Sequence, residues 1–277
     1  MRILITGSRG QVGQHLRQNF PEDWEMIATD SKTLDITQID NIERMISGFQ
    51  PDVLINTSGF TDVNSAEQNI EKAFAINANG CKNLAVVAQK HHVRMIHLST
   101  DYVFDGNKHA PYDENDAPNP LNVYGQSKLA GEVLALAHNE NTLIIRTSAV
   151  FGEHGNNFVK SIHQQAQNNQ PIEVVADQVC NPTYAMDLAN AIITLVRDYP
   201  EMRGLFHFVG NTSLTWFDFA QRILKAMQKD TSILQKTTST DTTIKRPTYS
   251  VLNSIHSLDI KKHSLDEAIL KSIEFTN

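Results

Sequence analysis

The strongest constraint on this chain sits at its N-terminus. Arg2-Ile3-Leu4-Ile5-Thr6 is a short apolar run, and Gly7-Ser8-Arg9-Gly10-Gln11-Val12-Gly13 follows without a break. An amphipathic stretch over residues 11–20 comes next. A buried strand that turns through three glycines straight into a helix leaves few folds open. Glycines three apart let the backbone turn tightly and come close to a ligand. A helix N-terminus at the same place suits a pyrophosphate. The spacing is G-x-x-G-x-x-G rather than G-x-G-x-x-G, and taken alone it also fits a plain glycine-rich turn.

The residues that follow extend the pattern. A second strand over 26–29 ends on Asp30, close to the spacing of roughly 20 residues at which a carboxylate meets a ribose. An acid there favours NAD over NADP, because it repels a 2′-phosphate. Lys32 offsets that repulsion, so NADH and NADPH both stay open. Leu34-Asp35-Ile36-Thr37 leads into a helix marked by Ile39, Ile42, Met45 and Ile46. Residues 51–56 read as a third, fully buried strand with a small, polar exit, Thr57-Ser58-Gly59-Phe60-Thr61. A long helix is expected over 70–91, a fourth strand over 94–99 and a fifth over 142–148. Alternation of this kind predicts an α/β fold, a doubly wound parallel sheet with helices on both faces.

Beyond residue 150 the pattern loosens. Helices are expected over 157–167, 187–197, 216–227 (capped by Thr215) and 265–273, with a sixth strand over 172–175 and another over 205–209. Residues 229–243 are polar and threonine-rich, and read as an exposed loop. Residues 1–150 therefore read as a ligand-binding domain built on the sheet. Residues 151–277 read mainly as a substrate-binding region, with segments around 171–198 packing back.

A second feature lies at Tyr124-Gly125-Gln126-Ser127-Lys128, opening another apolar helical run. Residues at i and i+4 share a helix face, so phenol and ammonium can point into one cleft. A free phenol has a pKa of about 10, and a nearby cation lowers it. Such a pair suits proton exchange with a carbonyl or alcohol oxygen. Ser127 has no nucleophile elbow around it and reads as a helix-surface serine. Asp113, Glu114 and Asp116, before Pro118, read as a solvated loop.

Bulk properties exclude several function classes. A formal charge of −7 over 277 residues disfavours nucleic acid as a partner. No stretch is long and apolar enough for a transmembrane helix, and the start does not resemble a signal peptide, so a cytoplasmic protein is expected. Only Cys81 and Cys180 occur, and the histidines lack ligand spacing; neither a disulfide framework nor a metal site is indicated.

Several runs together carry a resemblance. They are Gly7–Gly13 in number 7–13, Ser99-Thr100-Asp101-Tyr102-Val103-Phe104-Asp105-Gly106, Pro120-Leu121-Asn122-Val123-Tyr124-Gly125, and Ser127-Lys128-Leu129-Ala130-Gly131-Glu132. Arg146-Thr147-Ser148, Gly155-Asn156-Asn157-Phe158, and Arg246-Pro247 with Ser250, Leu252 and Asn253 complete them. The chain resembles the extended short-chain dehydrogenase/reductases and, within them, the dTDP-4-dehydrorhamnose reductase family. That resemblance implies a Rossmann-like sheet and reduction of the C4 ketone of dTDP-4-dehydro-L-rhamnose by NADPH or NADH.

It also implies residue roles. Tyr124 delivers a proton to the sugar C4 oxygen. Lys128 holds the nicotinamide ribose and depresses the tyrosine pKa, and Thr100 tunes it. Gly7, Gly10, Gln11, Val12 and Gly13 meet the pyrophosphate, Asp30 the ribose, and Asp35 and Ile36 the adenine. Ser58, Gly59, Phe60 and Leu98 line the nicotinamide side. Substrate contacts are implied at Thr100, Asp101, Ala149, Asn181, Arg246 and Asn253, with Arg246 on the diphosphate, where a guanidinium fork fits.

Five positions depart from the family pattern. Ser58-Gly59 replaces Ala-Ala, and Asn64 replaces an aspartate. Ala149 stands where tryptophan is common, which leaves a reductase or epimerase of another 4-keto nucleotide sugar as a rival. His15 stands where some members carry a glutamate used in a metal-bridged dimer, so that dimer and its Mg²⁺ are not expected; a monomer or homodimer is. A non-catalytic dinucleotide-binding regulatory subunit is the rival from another class.

Overall fold

A computed structural model of the protein describes residues 1–168, 171–239 and 243–274. Its centre is a six-stranded sheet in which every pairing is parallel. The strands are β1 (Arg2–Thr6), β2 (Glu25–Ala28), β3 (Val53–Asn56), β4 (Arg94–Thr100), β5 (Thr142–Thr147) and a last one, Gly204–His207. Their order across the sheet is β2-β1-β3-β4-β5 and then Gly204–His207. From β1 the chain moves to β2 on one side and later to β3 on the other. That reversal opens a crevice at the carboxyl ends of β1 and β3.

Side chains alternate across the sheet, and both faces are covered. Ile3 and Ile5 of β1 face α1 (Gln11–Gln18) and α8 (Ala185–Arg197), meeting Val12, Leu16, Leu188 and Ile192. Leu4, Leu54, Met95 and Ile144 face the other way, against α2 (Ile39–Phe49) and α5 (Cys81–Lys90). β3 is buried on both faces, which explains its unbroken apolar run. No helix among the described residues is long and apolar enough to cross a membrane.

Three expectations change. The helix expected over 70–91 is broken into α4 (Ile70–Phe74), a π-helical turn (Ala75–Gly80) and α5, with α3 (Val63–Gln68) before them. Close packing accompanies the break: a Cβ on Gly131 of α6 (Val123–His138) would lie 2.1 Å from the Asn77 carbonyl oxygen. The wider turn sends the Asn77 side chain to Phe60 and Ser127.

The strand Ile172–Val175 exists but lies outside the main sheet, whose sixth place is taken by Gly204–His207. It pairs instead with Leu234–Thr237, within the segment expected to be a loop. Leu234 joins Ile172 and Val174 in a second core with α7 (Phe158–Gln167), α9 (Trp216–Ala226) and α10 (Leu265–Glu274). Leu234, with Ile233 partly buried beside it, ties that otherwise polar stretch to the core; residues 240–242 lie outside the described residues.

Glu114 is buried rather than solvated. It accepts hydrogen bonds from the backbone N–H groups of His207 and Ile255 (2.8 and 2.9 Å) and from the Ser254 hydroxyl (2.6 Å). Its neighbour Asp116 pairs with Lys108 at 2.5 Å.

Candidate active site

A cavity of about 860 Å³ runs along the carboxyl ends of β1, β3, β4 and β5. The glycine loop forms one end. Gly7 sits at φ +73°, and a Cβ there would lie 2.6 Å from the Ser58 amide nitrogen; one on Gly13 would lie 2.5 Å from the Gly7 carbonyl oxygen. Only bare backbone fits. Gly10 caps α1 without a side-chain hydrogen bond, and the first turn of α1 carries no acid. Its free amides make a cradle suited to a dinucleotide pyrophosphate.

Asp30, Asp35 and Ile36 line the adjoining wall together with Lys32. Burial works against ionisation of Asp30, but backbone N–H groups of Lys32 and Thr33, both at 3.0 Å, hold its carboxyl below the ordinary range. Arg9 Nε also reaches it, at 2.5 Å. Arg9 was not singled out from sequence, and neither were Val150, Gly155 and Asn156, which close the cavity from above. Gln11 ties that strap down: its Nε2 donates to the Val150 carbonyl (3.3 Å), and its Oε1 accepts from Asn157 Nδ2 (3.0 Å). The Gly155-Asn156-Asn157-Phe158 run was the signal that could have found it.

At the opposite end stand Thr100, Tyr124 and Lys128, with Ser58, Gly59, Phe60, Leu98 and Ala149 also on the wall. Tyr124 is the second residue of α6, whose start is pinned three times. Asn122 Oδ1 accepts the Gly125 N–H (2.9 Å), Glu67 Oε1 accepts the Val123 N–H (2.8 Å), and a Cβ on Gly125 would meet the Tyr102 carbonyl oxygen at 2.2 Å. Ser127, expected on the surface, is completely buried. It donates to the Tyr124 carbonyl (2.8 Å) and accepts from Asn77 Nδ2 (2.9 Å), so it braces the helix against Phe60.

Burial pushes the Tyr124 phenol up to about 12, against a lowering hydrogen bond with Thr100. The expectation that Lys128 depresses it is not met, because the lysine turns elsewhere. Lys128 Nζ donates to the Leu98 carbonyl at 2.6 Å and stands 3.3 Å from His97 Nε2. Burial lowers the lysine's own proton affinity.

Asp101 lies behind Thr100 rather than on the cavity wall. Its Oδ1 accepts from Thr100 Oγ1 (3.1 Å), and its Oδ2 from Ser148 Oγ (2.8 Å) and Ser250 Oγ (2.5 Å). Burial outweighs these three hydrogen bonds and raises its carboxyl to about 6. Ala149 is held at φ +43°, a left-handed conformation uncommon for a residue with a Cβ. Asn181, Arg246 and Asn253 are not part of the cavity wall. Asn181 Oδ1 accepts the Leu252 N–H (2.8 Å), the Asn253 N–H donates to the Tyr112 carbonyl (2.8 Å), and Arg246 Nη2 donates to Asn64 Oδ1 (2.7 Å). His15 is buried 3.1 Å from Glu153 Oε2.

A parallel sheet with its glycine loop, an acid after β2 and a buried Thr/Tyr/Lys set on one cavity defines a class, the nicotinamide-dinucleotide oxidoreductases built on a Rossmann-like sheet. Comparison with known proteins narrows it. The family described as "RmlD substrate binding domain" matches residues 1–271, and the chain belongs to that family. It is 38% identical over 265 residues to a dTDP-4-dehydrorhamnose reductase of Aggregatibacter actinomycetemcomitans, covering 91% of this chain and 90% of the other. A crystal structure of a dTDP-4-dehydrorhamnose reductase from Clostridium acetobutylicum superposes with a TM-score of 0.92 at 34% identity, covering 100% of this chain and 99% of that one. A second, from Bacillus anthracis in complex with NADP, gives 0.91 at 32% identity, covering 99% and 98%.

Proposed function

We propose that the chain reduces the C4 ketone of dTDP-4-dehydro-L-rhamnose to the alcohol of dTDP-L-rhamnose, with NADPH or NADH as the reductant. One observation carries this reading: Thr100, Tyr124 and Lys128 share a cavity with the glycine cradle and Asp30. Family membership and the 38% identity to a dTDP-4-dehydrorhamnose reductase support the choice of sugar. The cradle fits a dinucleotide, since a Cβ at Gly7 or Gly13 would collide with backbone at 2.6 or 2.5 Å and force the tight glycine turn open.

A reduced nicotinamide, when bound, supplies the hydride for the carbonyl carbon. The chain's own residues handle the proton. Burial keeps the Tyr124 phenol protonated at neutral pH, as a proton donor to a nascent alkoxide needs. Thr100 stands beside the phenol, and its hydroxyl donates to Asp101 Oδ1 at 3.1 Å while accepting the Tyr102 N–H at 3.2 Å. Lys128, on the same cavity wall, would hold a ribose hydroxyl beside the phenol. Arg246 stands outside the cavity wall, paired with Asn64, and its guanidinium suits the diphosphate of a nucleotide sugar.

Replacing Tyr124→Phe should leave dinucleotide binding nearly intact and reduce turnover by about 10²- to 10⁴-fold, the usual worth of a positioned proton donor. Near-normal turnover would overturn the assignment. A second reading, reduction or epimerisation of another 4-keto nucleotide sugar, draws on Ala149, where the family commonly has tryptophan. A panel of 4-keto nucleotide sugars, assayed with both cofactors, separates the two by relative kcat/KM.

A further inference from the structure

Beneath the cavity floor a file of buried polar groups runs from β1 to α6. The Ser58 backbone N–H and the Thr6 hydroxyl both donate to Asn56 Oδ1, at 3.0 and 2.7 Å. A backbone amide can only donate, so this oxygen is fixed as the acceptor and Asn56 Nδ2 as the donor. Nδ2 stands 2.9 Å from Nδ1 of His97, which therefore accepts. His97 is fully buried, and burial holds its ring well below the ordinary histidine range. A neutral imidazole with a bare Nδ1 carries its proton on Nε2. That N–H points at Lys128 Nζ, 3.3 Å away.

An ammonium has three donors and no acceptor, so it cannot pair with another N–H. A neutral amine can: it donates to the Leu98 carbonyl and accepts from His97. We propose that His97 is a positioning residue that sets the proton state of Lys128, favouring the neutral amine through a hydrogen-bond chain anchored on the Ser58 peptide. The inference deepens the active-site reading above and rests on it.

The other groups facing this file do not reverse the balance. Cys81, from α5, is hydrogen-bonded to Asn56, and burial pushes its thiol up to about 12, so it stays uncharged. Glu132, one turn beyond Lys128, already holds Arg146 at 2.7 Å and the Ser99 hydroxyl. Ser58 lines the cavity, so a ligand that moves its peptide also moves the acceptor on which the His97 tautomer depends. Occupancy of the nicotinamide side and the charge next to Tyr124 are thereby joined by a mechanical link.

Two measurements on the intact protein test this without any substrate. In protein labelled with 15N-histidine, with His97 assigned by its loss in His97→Leu, the ring should be the neutral Nε2–H tautomer. An Nδ1–H tautomer overturns the proposal. In protein labelled with 13C-lysine, the Lys128 Cε titration midpoint should move up in His97→Leu, which removes the opposing N–H. It should also move up in Asn56→Asp, where a second oxygen accepts from Nδ1–H and turns a bare Nε2 to the lysine. A midpoint unchanged in both variants, or shifted in His97→Leu alone, refutes the coupling. If Asn56→Asp fails to fold, the wild-type tautomer and the His97→Leu midpoint still decide. Absence of turnover on every 4-keto sugar would sink the functional reading while leaving both spectra interpretable.

Discussion

Asp101→Asn should stabilise this protein, and by an amount that depends on pH. The carboxyl is buried and rises from the ordinary aspartate value of 3.8 to about 6 in the folded chain. A raised carboxyl binds its proton more tightly when folded than unfolded. Stability from that proton is fully present below pH 3.8 and is lost as pH rises through about 6. Two pH units at 1.36 kcal/mol each make the loss roughly 3 kcal/mol above neutrality, an upper figure for a group held by three hydroxyls. Asparagine keeps the shape and one acceptor oxygen but has no charge to bury. Reversible urea unfolding of both proteins near pH 4 and near pH 8 isolates the effect, because every other titrating group cancels in the difference. The variant should gain on the wild type by roughly 2–3 kcal/mol between those conditions. A difference equal at both pH values would show that Asp101 is not a buried charge, and the argument for it would fail.

Two further outcomes follow from the geometry. Arg146→Met should destabilise by about 3–5 kcal/mol, since it leaves Glu132 buried without its bidentate partner, and adding Glu132→Gln should recover most of the loss in the same urea titration. No recovery would mean that packing of Arg146 over Phe104, at 5.1 Å, matters more than the charge. Arg9→Ala should lower kcat/KM for NADPH about tenfold more than for NADH, because it removes a phosphate donor and bares Asp30 together. Equal losses with both cofactors would exclude a role at the 2′-phosphate.

What could be read from sequence was local. The glycine loop announces itself because its turn, its helix start and its lack of side chains are written within seven residues. β3 is legible for a similar reason, as four consecutive buried residues have no other cheap explanation. The Tyr124–Lys128 spacing placed both groups on one cavity, yet it misjudged the phenol, because burial is a property of the surroundings rather than of a neighbour four residues away. Ser127 looked like a surface serine until the Asn77 side chain, 50 positions earlier, came to meet it. Glu114 looked solvated because the amides it holds belong to His207 and Ile255. Leu234 pairing with Ile172 was hidden in the same way. His97 was passed over for want of metal-ligand spacing, although its position between Asn56 and Lys128 gives it other work.

Ala149 carries one more consequence. Its backbone is held at φ +43° by the turn that follows β5, and its carbonyl is fastened to the Thr183 N–H at 3.2 Å. The strain therefore belongs to the position and not to the methyl group, so most larger side chains would inherit the same conformation at little added backbone cost. Such a site can exchange its occupant over generations while the frame around it stays still. A side chain exchanged at 149 would reshape the cavity wall there, with Thr100 on β4 and Tyr124 and Lys128 on α6 left untouched.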